Sequence, residues 1–353
     1  MDHAQVLSTL IDIVIKERAS DLHLSVGLNP IVRVDGALIP LMQQPVLTQE
    51  AIGGILAAML SENQRKLFTE SQHVDFSYAY GAGVRFRGNA FVQRGTIAVA
   101  MRYIPELTQS FAELRLPQIL ETFAQLEQGF FLVVGPVGQG KSTTLATMIE
   151  YINQNRAEHI LTIEDPIEYI YTSKRAIVEQ REVGVDTPSF EAALHSAFRQ
   201  DIDVIMVGEM RNLETISTAV TAAETGHLVL ATLHTNNAPQ TIDRIIDSFP
   251  GEQQAQIRNQ LANSLTGILS QRLIPKISGG MVPAFELLIN TNAVGNLIRA
   301  QRTHELASVI ETSAGDGMID MNRSLAELVR RGEVTPQNAY SRSLNPKGLE
   351  RLL

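Results

Sequence analysis

Phe130-Phe131-Leu132-Val133-Val134 runs directly into Gly135-Pro136-Val137-Gly138-Gln139-Gly140-Lys141-Ser142, after which Leu145, Met148, Ile149 and Ile152 recur at helical spacing. Five apolar residues without alternation predict a strand covered on both faces. The glycines let successive backbone N–H groups turn inward, and the start of the following helix adds a partial positive charge. The pattern G-x-x-x-x-G-K-[ST] thus comes with strand, loop and helix in the order that its chemistry demands. Lys141 is placed to reach β- and γ-phosphate oxygens, and Ser142 to ligate Mg²⁺. Gly135, Pro136, Val137, Gly138, Gln139, Gly140, Lys141, Ser142 and Thr143 form the expected binding set for a nucleoside triphosphate such as ATP.

Three more apolar strands follow, at Ile160–Ile163, Val204–Val207 and Leu228–Leu233, separated by helical patterns. Such alternation predicts an α/β sheet of parallel strands joined by right-handed crossovers. In such sheets ligands sit outside the carboxyl ends of the strands. Glu209 ends one strand there and is expected to hold or polarise the water associated with Mg²⁺. Glu164-Asp165-Pro166-Ile167-Glu168 lies just past another; Glu164 or Asp165 could orient the attacking water, or the segment could be a solvated acidic loop. His227 and His234 flank the last strand, roughly 23 Å apart if fully extended, so one metal ion cannot bind both. His234, at the carboxyl end, can reach the γ-phosphate region, whereas His227 suits a contact with another domain or subunit. From about 285 to 353 the pattern is mostly helical.

The first hundred residues read as a smaller α+β unit. Val6, Leu7, Leu10, Ile11 and Val14 predict a helix over about 4–17. Leu22, Leu24 and Val26 alternate with polar residues, and the apolar runs on either side of Asp35-Gly36 predict a hairpin. Ser61-Glu62-Asn63-Gln64 has the form of a capping box. Farther on, Val84, Phe86 and Gly88 alternate with Arg85, Arg87 and Asn89, so that two guanidiniums share one strand face. Arg102 ends the last strand of this unit. These arginines fit a solvated sheet face on composition alone. Ile104-Pro105 closes the unit, and the polar, Pro-flanked segment 106–117 predicts a linker, giving domains at 1–105 and 118–353.

With 353 residues, 29 Lys+Arg against 38 Asp+Glu, and no cysteine, the chain carries a net charge of −9. That disfavours tracking along a nucleic-acid backbone, and the missing cysteines exclude disulfides, thiolate nucleophiles and Cys-ligated zinc. No apolar run reaches the 18 residues of a membrane helix, and the start lacks the form of a secretory signal. A soluble protein, most simply cytoplasmic, is expected.

The phosphate loop, the acidic box Glu164-Asp165-Pro166, the strand ending Val207-Gly208-Glu209-Met210-Arg211 and the His227–His234 box, in this order, resemble the secretion ATPases that power type IV pili and type II secretion. Ala19-Ser20-Asp21-Leu22-His23 and Arg85-Phe86-Arg87 extend the resemblance into the first unit. Within that group the chain is most similar to the PilT-type retraction ATPases: assembly ATPases are longer and usually carry a four-cysteine zinc module. The stretch 293–302 keeps Ala293 and the Asn296–Arg299 core of the branch motif AIRNLIREGK and loses its first Arg, its Glu and its Gly. Val137 and Gln139 stand where Thr and Ser are usual, which leaves an accessory ATPase of the PilU kind as the alternative. The resemblance implies a PAS-like small domain followed by a RecA-like ATPase domain with a helical C-terminal extension. It also implies a homohexamer at the inner face of the cytoplasmic membrane, acting on a platform protein and indirectly on pilin, with a paralogous ATPase as a further partner. Arg85, Arg87 and Arg102 would then be the candidates to stabilise charge on the γ-phosphoryl group, Arg85 and Arg102 foremost. A nucleic-acid motor and an ATP-binding regulatory subunit are the competing readings.

Overall fold

A computed structural model describes residues 3–34, 36–81, 84–104 and 109–353. The chain divides into two compact units. Among the described residues, one takes in those up to Ile104 together with Glu168–Ile170, and the other takes in the remainder.

The first unit contains α1 (His3–Lys16), β1 (Asp21–Ser25), β2 (Ile31–Val34), β3 (Ala37–Pro40), α2 (Gln49–Met59), α3 (Glu62–Ser71), β4 (His73–Tyr80), β5 (Val84–Gln93) and β6 (Thr96–Ile104). Its sheet is antiparallel in the order β3-β2-β1-β6-β5-β4. The helical period of α1 buries Leu7, Leu10, Ile11 and Val14 against Ile52 and Ile55 of α2 and Leu22, Leu24 and Phe86 of the sheet. In the predicted hairpin Val34 pairs with Ala37, and Gly36 takes a φ of +83°. Asp35, its other turn residue, lies outside the described residues, as does the first part of the predicted linker. The Ser61–Gln64 capping box closes in both directions. From Gln109 onward the linker segment is docked rather than loose: Phe111 is buried edge-on to Tyr151, at 5.6 Å between centroids, and Arg115 pairs with Glu333.

The second unit contains α4 (Leu120–Ala124), β7 (Gly129–Val134), α5 (Lys141–Asn155), β8 (His159–Glu164), β9 (Ile177–Glu182), α6 (Phe190–Ala197), β10 (Val204–Val207), α7 (Leu213–Glu224), β11 (Leu228–Leu233), α8 (Ala238–Asp247), α9 (Gly251–Ser264), β12 (Leu265–Pro275) and β13 (Met281–Ile289). The helices α10 (Asn292–Arg299), α11 (Leu306–Thr312), α12 (Met321–Arg330), α13 (Pro336–Tyr340) and α14 (Pro346–Glu350) follow. Its sheet runs β13-β12-β7-β11-β10-β8-β9, all parallel except β13. The four strands read from apolar runs form its centre, and β7, β10 and β11 are buried at every residue. Three strands depart from the sequence expectation. β9 is a partly charged edge strand, whereas β12 and β13 extend the sheet past β7, so the helical C-terminal part begins at Asn292 rather than near 285.

β13 also carries an unusual carboxyl. Glu286 accepts the Ala238 N–H at the start of α8, at 2.8 Å. Burial, reinforced by Asp320, pushes its pKa up to about 7 against the opposing pull of the Ala238 N–H and Arg272. An acid that holds its proton more tightly when folded gives stability that is full below pH 4.5 and lost as pH rises through about 7. Glu286→Gln is expected to flatten this part of the stability curve, read from urea unfolding midpoints across that range. A slope identical to that of the wild type would refute the assignment.

Candidate nucleotide site

Register brings the site residues to one edge of the sheet. Leu233 of β11 pairs with Val134 of β7, and Val207 of β10 pairs with Ala231 of β11 and Ile163 of β8. The loops after all four strands therefore leave the sheet side by side. Past β10 the stitching continues: the Gly208 N–H donates to Ile163 O at 2.8 Å, and Thr232 Oγ1 donates to Gly208 O at 2.6 Å.

In the phosphate loop, a Cβ on Gly135 would come within 2.6 Å of the Gln271 carbonyl. Gly140, at φ +80°, is the N-cap of α5 and offers no side chain to its first turn, which also lacks acidic residues. The first N–H groups of α5 are thus left for an anion. Lys141 is 7% exposed, and its Nζ donates to Gly135 O at 2.9 Å, Pro136 O at 3.0 Å and His234 Nδ1 at 3.1 Å. Since His234 Nδ1 accepts from an ammonium, the ring proton is on Nε2, which faces Glu209 Oε1 at 3.1 Å. Glu209 Oε2 meets Arg211 Nη2 at 2.9 Å, and Arg211 Nη1 reaches Asp165 Oδ2 at 3.3 Å. Burial alone would raise the Glu209 pKa, but the Arg211 hydrogen bond and the His234 ring hold it below the ordinary glutamate value. Glu209 in turn raises the pKa of Arg211. A carboxylate that stays ionised in a partly buried setting can accept a proton or hold a cation.

The other predicted residues are placed as follows. Glu164 is buried, its Oε1 accepting from Thr162 Oγ1 at 2.7 Å and Gln180 Nε2 at 3.3 Å. Ser142 and Thr143 lie in the first turn of α5. His227 sits at the opposite end of β11, its Nδ1 3.0 Å from Ala222 O and its ring edge-on to Phe198. In the first unit, Arg87 and Arg102 are cross-strand partners, and Arg102 Nε donates to Asp21 Oδ1 at 3.0 Å. Arg85 is half-buried on the same strand as Arg87. Among the described residues no cluster of three or more His, Cys, Asp or Glu side chains could hold a metal.

The sequence reading missed the support that β12 supplies. Gln271 Nε2 donates to Gln139 O at 2.7 Å, Gln271 Oε1 accepts from Thr144 Oγ1 at 2.7 Å, and the Leu273 N–H donates to Gln139 Oε1 at 2.8 Å. The run Ser270-Gln271-Arg272, polar within an apolar stretch, is the one sequence signal that marked it.

The pattern of the type II/IV secretion system protein family matches residues 3–293. The chain is 45% identical over 332 residues to the type IV pilus retraction ATPase PilT of Pseudomonas aeruginosa, spanning 94% of this chain and 96% of that protein. It is 45% identical over 323 residues to a twitching motility protein of Neisseria gonorrhoeae, spanning 91% and 86%. A crystal structure of the pilus retraction motor PilT with bound ADP superposes with a TM-score of 0.91 at 47% identity, covering 97% of this chain and 98% of the other. With the phosphate loop, the Glu209–Arg211 strand end and His234 gathered at one sheet edge, the chain belongs to the type II/IV secretion system protein family, as an ATPase of the PilT type.

Proposed function

We propose that this ATPase drives pilus retraction as a homohexamer in the cytoplasm, at the inner face of the cytoplasmic membrane. There it would pull on a platform protein and through it on pilin. The observation that carries the reading is the unbroken chain Lys141–His234–Glu209–Arg211–Asp165, which couples the phosphate loop to the ends of three other strands. Triphosphate oxygens compete with the Gly135 and Pro136 carbonyls for the Lys141 ammonium, and the charge-assisted bond to phosphate is the stronger. As Nζ swings to the β- and γ-oxygens, His234 loses its donor and becomes free to sense the γ-phosphate. Glu209, already ionised, polarises the attacking water, which Glu164 and Asp165 help to orient from the neighbouring strand end.

A hydroxyl at Ser142 and an ionised carboxylate at Glu209 form a donor set that suits a hard cation, so these residues would hold Mg²⁺. Mg²⁺ supplies neutralisation of the phosphate oxygens when bound. Arg85 and Arg102 act as late-arriving cations from the first unit of the same or a neighbouring chain. The Arg102 side chain is 68% exposed, and its buried partner Asp21 keeps Ser20 Oγ at 2.8 Å and Arg33 Nε at 3.7 Å when Arg102 leaves.

Lys141→Ala is expected to abolish hydrolysis and to weaken ATP binding strongly, and cells carrying only this variant should keep surface pili without withdrawing them. Wild-type turnover in the variant would remove the loop assignment. Glu209→Gln should bind ATP and turn it over slowly, since the amide keeps the shape and loses the charge; an equal loss of binding would make Glu209 structural. Arg85→Ala and Arg102→Ala should lower turnover by about 10³–10⁵ while largely sparing affinity. Mixing an arginine variant with Lys141→Ala tests where the arginine acts. Recovered activity in mixed rings would show that it comes from a neighbouring subunit, and no recovery in rings confirmed by mass would exclude that.

A further inference from the structure

β12 carries three consecutive buried polar residues, Ser270, Gln271 and Arg272, at 0%, 3% and 5% exposure. Successive strand residues face opposite sides, and the polar run uses both. On one side Ser270 Oγ and Arg272 Nη2 each donate to Asn236 O at 2.9 Å, two residues past His234. On the other, Gln271 grips the phosphate loop: its amide lies between Gln139 O and Thr144 Oγ1, both at 2.7 Å. A Cβ on Gly140 would come within 2.9 Å of the same amide nitrogen, so the loop crown is in direct contact with this side chain.

The Gln139 carbonyl and the Gly140 N–H belong to one peptide unit, and in a trans peptide the two point in opposite directions. Drawing Gln139 O onto Gln271 Nε2 therefore aims the Gly140 N–H away from the Gln271 amide. The geometry points to Gln271 as a positioning residue for phosphate binding: through the Gln139–Gly140 peptide it holds a backbone donor in the direction that a nucleoside diphosphate requires. Gln139 O can only accept, so it must meet the NH₂ end of the Gln271 amide, and Thr144 Oγ1 then donates to Oε1. Such a donor serves bound ADP and ATP alike, so its loss affects binding more than the chemical step. The inference rests on the phosphate-loop reading of Gly135–Ser142.

The test uses the purified full chain with ADP titrated by calorimetry and steady-state ATP turnover, beside thermal melting. Gln271→Met keeps the volume and loses both hydrogen bonds. Gln271→Glu keeps the acceptor for Thr144 and cannot donate to Gln139 O, and it carries the test if the Met variant does not fold. Both are expected to weaken ADP binding about tenfold or more and to raise KM in proportion, with kcat within about threefold of wild type. Thr144→Val should weaken ADP binding less, and adding it to Gln271→Met should cost less than the two single effects combined. ADP affinity like that of the wild type in a folded Gln271→Glu variant would overturn the proposal, as would a fall in kcat at unchanged KM. If the wild type itself binds no ADP, the phosphate-loop reading fails and the proposal with it.

Discussion

The Lys141 ammonium is almost wholly out of water, and a buried cation must be met by acceptors or it will not stay charged. Its acceptors include two carbonyls of its own loop and the imidazole at the end of β11. That requirement fixes much else. The loop must curl back far enough to bring Gly135 and Pro136 beneath the lysine. β11 must lie directly beside β7, because a strand inserted between them would carry His234 about 5 Å farther away. His234, having accepted at one nitrogen, must donate at the other, and Glu209 is the group in front of it. The order of the central strands and the charge state of the site are thus two aspects of one electrostatic demand.

A second layer of polar chemistry lies under the first. Arg272 is buried, and burial lowers its pKa from the usual arginine value; its Nη2 bonds Asn236 O at 2.9 Å and Oδ1 at 3.1 Å, and its Nη1 bonds Gln271 O at 2.9 Å. Polar side chains in a sheet interior are stabilising only when every partner is in place. Here they join β12 to the segments following β7 and β11, the two strand ends that supply Lys141 and His234. Hydrophobic contact alone would hold these segments close without fixing which way their peptide groups point.

What was legible in the sequence, and what was not, follows from how far each signal reaches along the chain. The phosphate loop, the Ser61 capping box and the hairpin at Gly36 are local, and the residues that make them lie within a few positions of each other. The four central strands were legible because burial on both faces leaves a continuous apolar run. β9 reads Ile177-Val178-Glu179-Gln180-Arg181-Glu182, and an edge strand of that composition looks like a loop. β12 was hidden twice over: α9 passes into it at Leu265 without a break, and its centre is polar yet buried. β13 contains Pro283, which its place at the edge of the sheet tolerates. In the site, Glu209 and His234 stood at strand ends and Lys141 in the phosphate-loop motif, and so could be singled out. The Arg211 link to Asp165 spans 46 residues, the Gln271 link to Gln139 spans 132, and the Arg102 link to Asp21 spans 81. No spacing rule reaches that far.

β12 pairs with β7 only as far as Ser270, whereas β13 accompanies it to Pro275. Beyond Ser270 the side that a strand would occupy is filled by the phosphate loop. At eleven residues β12 is about 36 Å long. One end is seated in the main core through Leu265 and Ile268, and the other, through Ile274, in a separate cluster with Leu325, Val334 and Leu349. Mechanically it is a stiff rod clamped at both ends, with the loop resting against its middle. A ribbon of paired strands resists stretching far more than twisting, so a displacement imposed by the loop has one soft direction available, rotation about the rod's own axis. The C-terminal helices that grip the far end would therefore register a change at the loop as a turn rather than as a push.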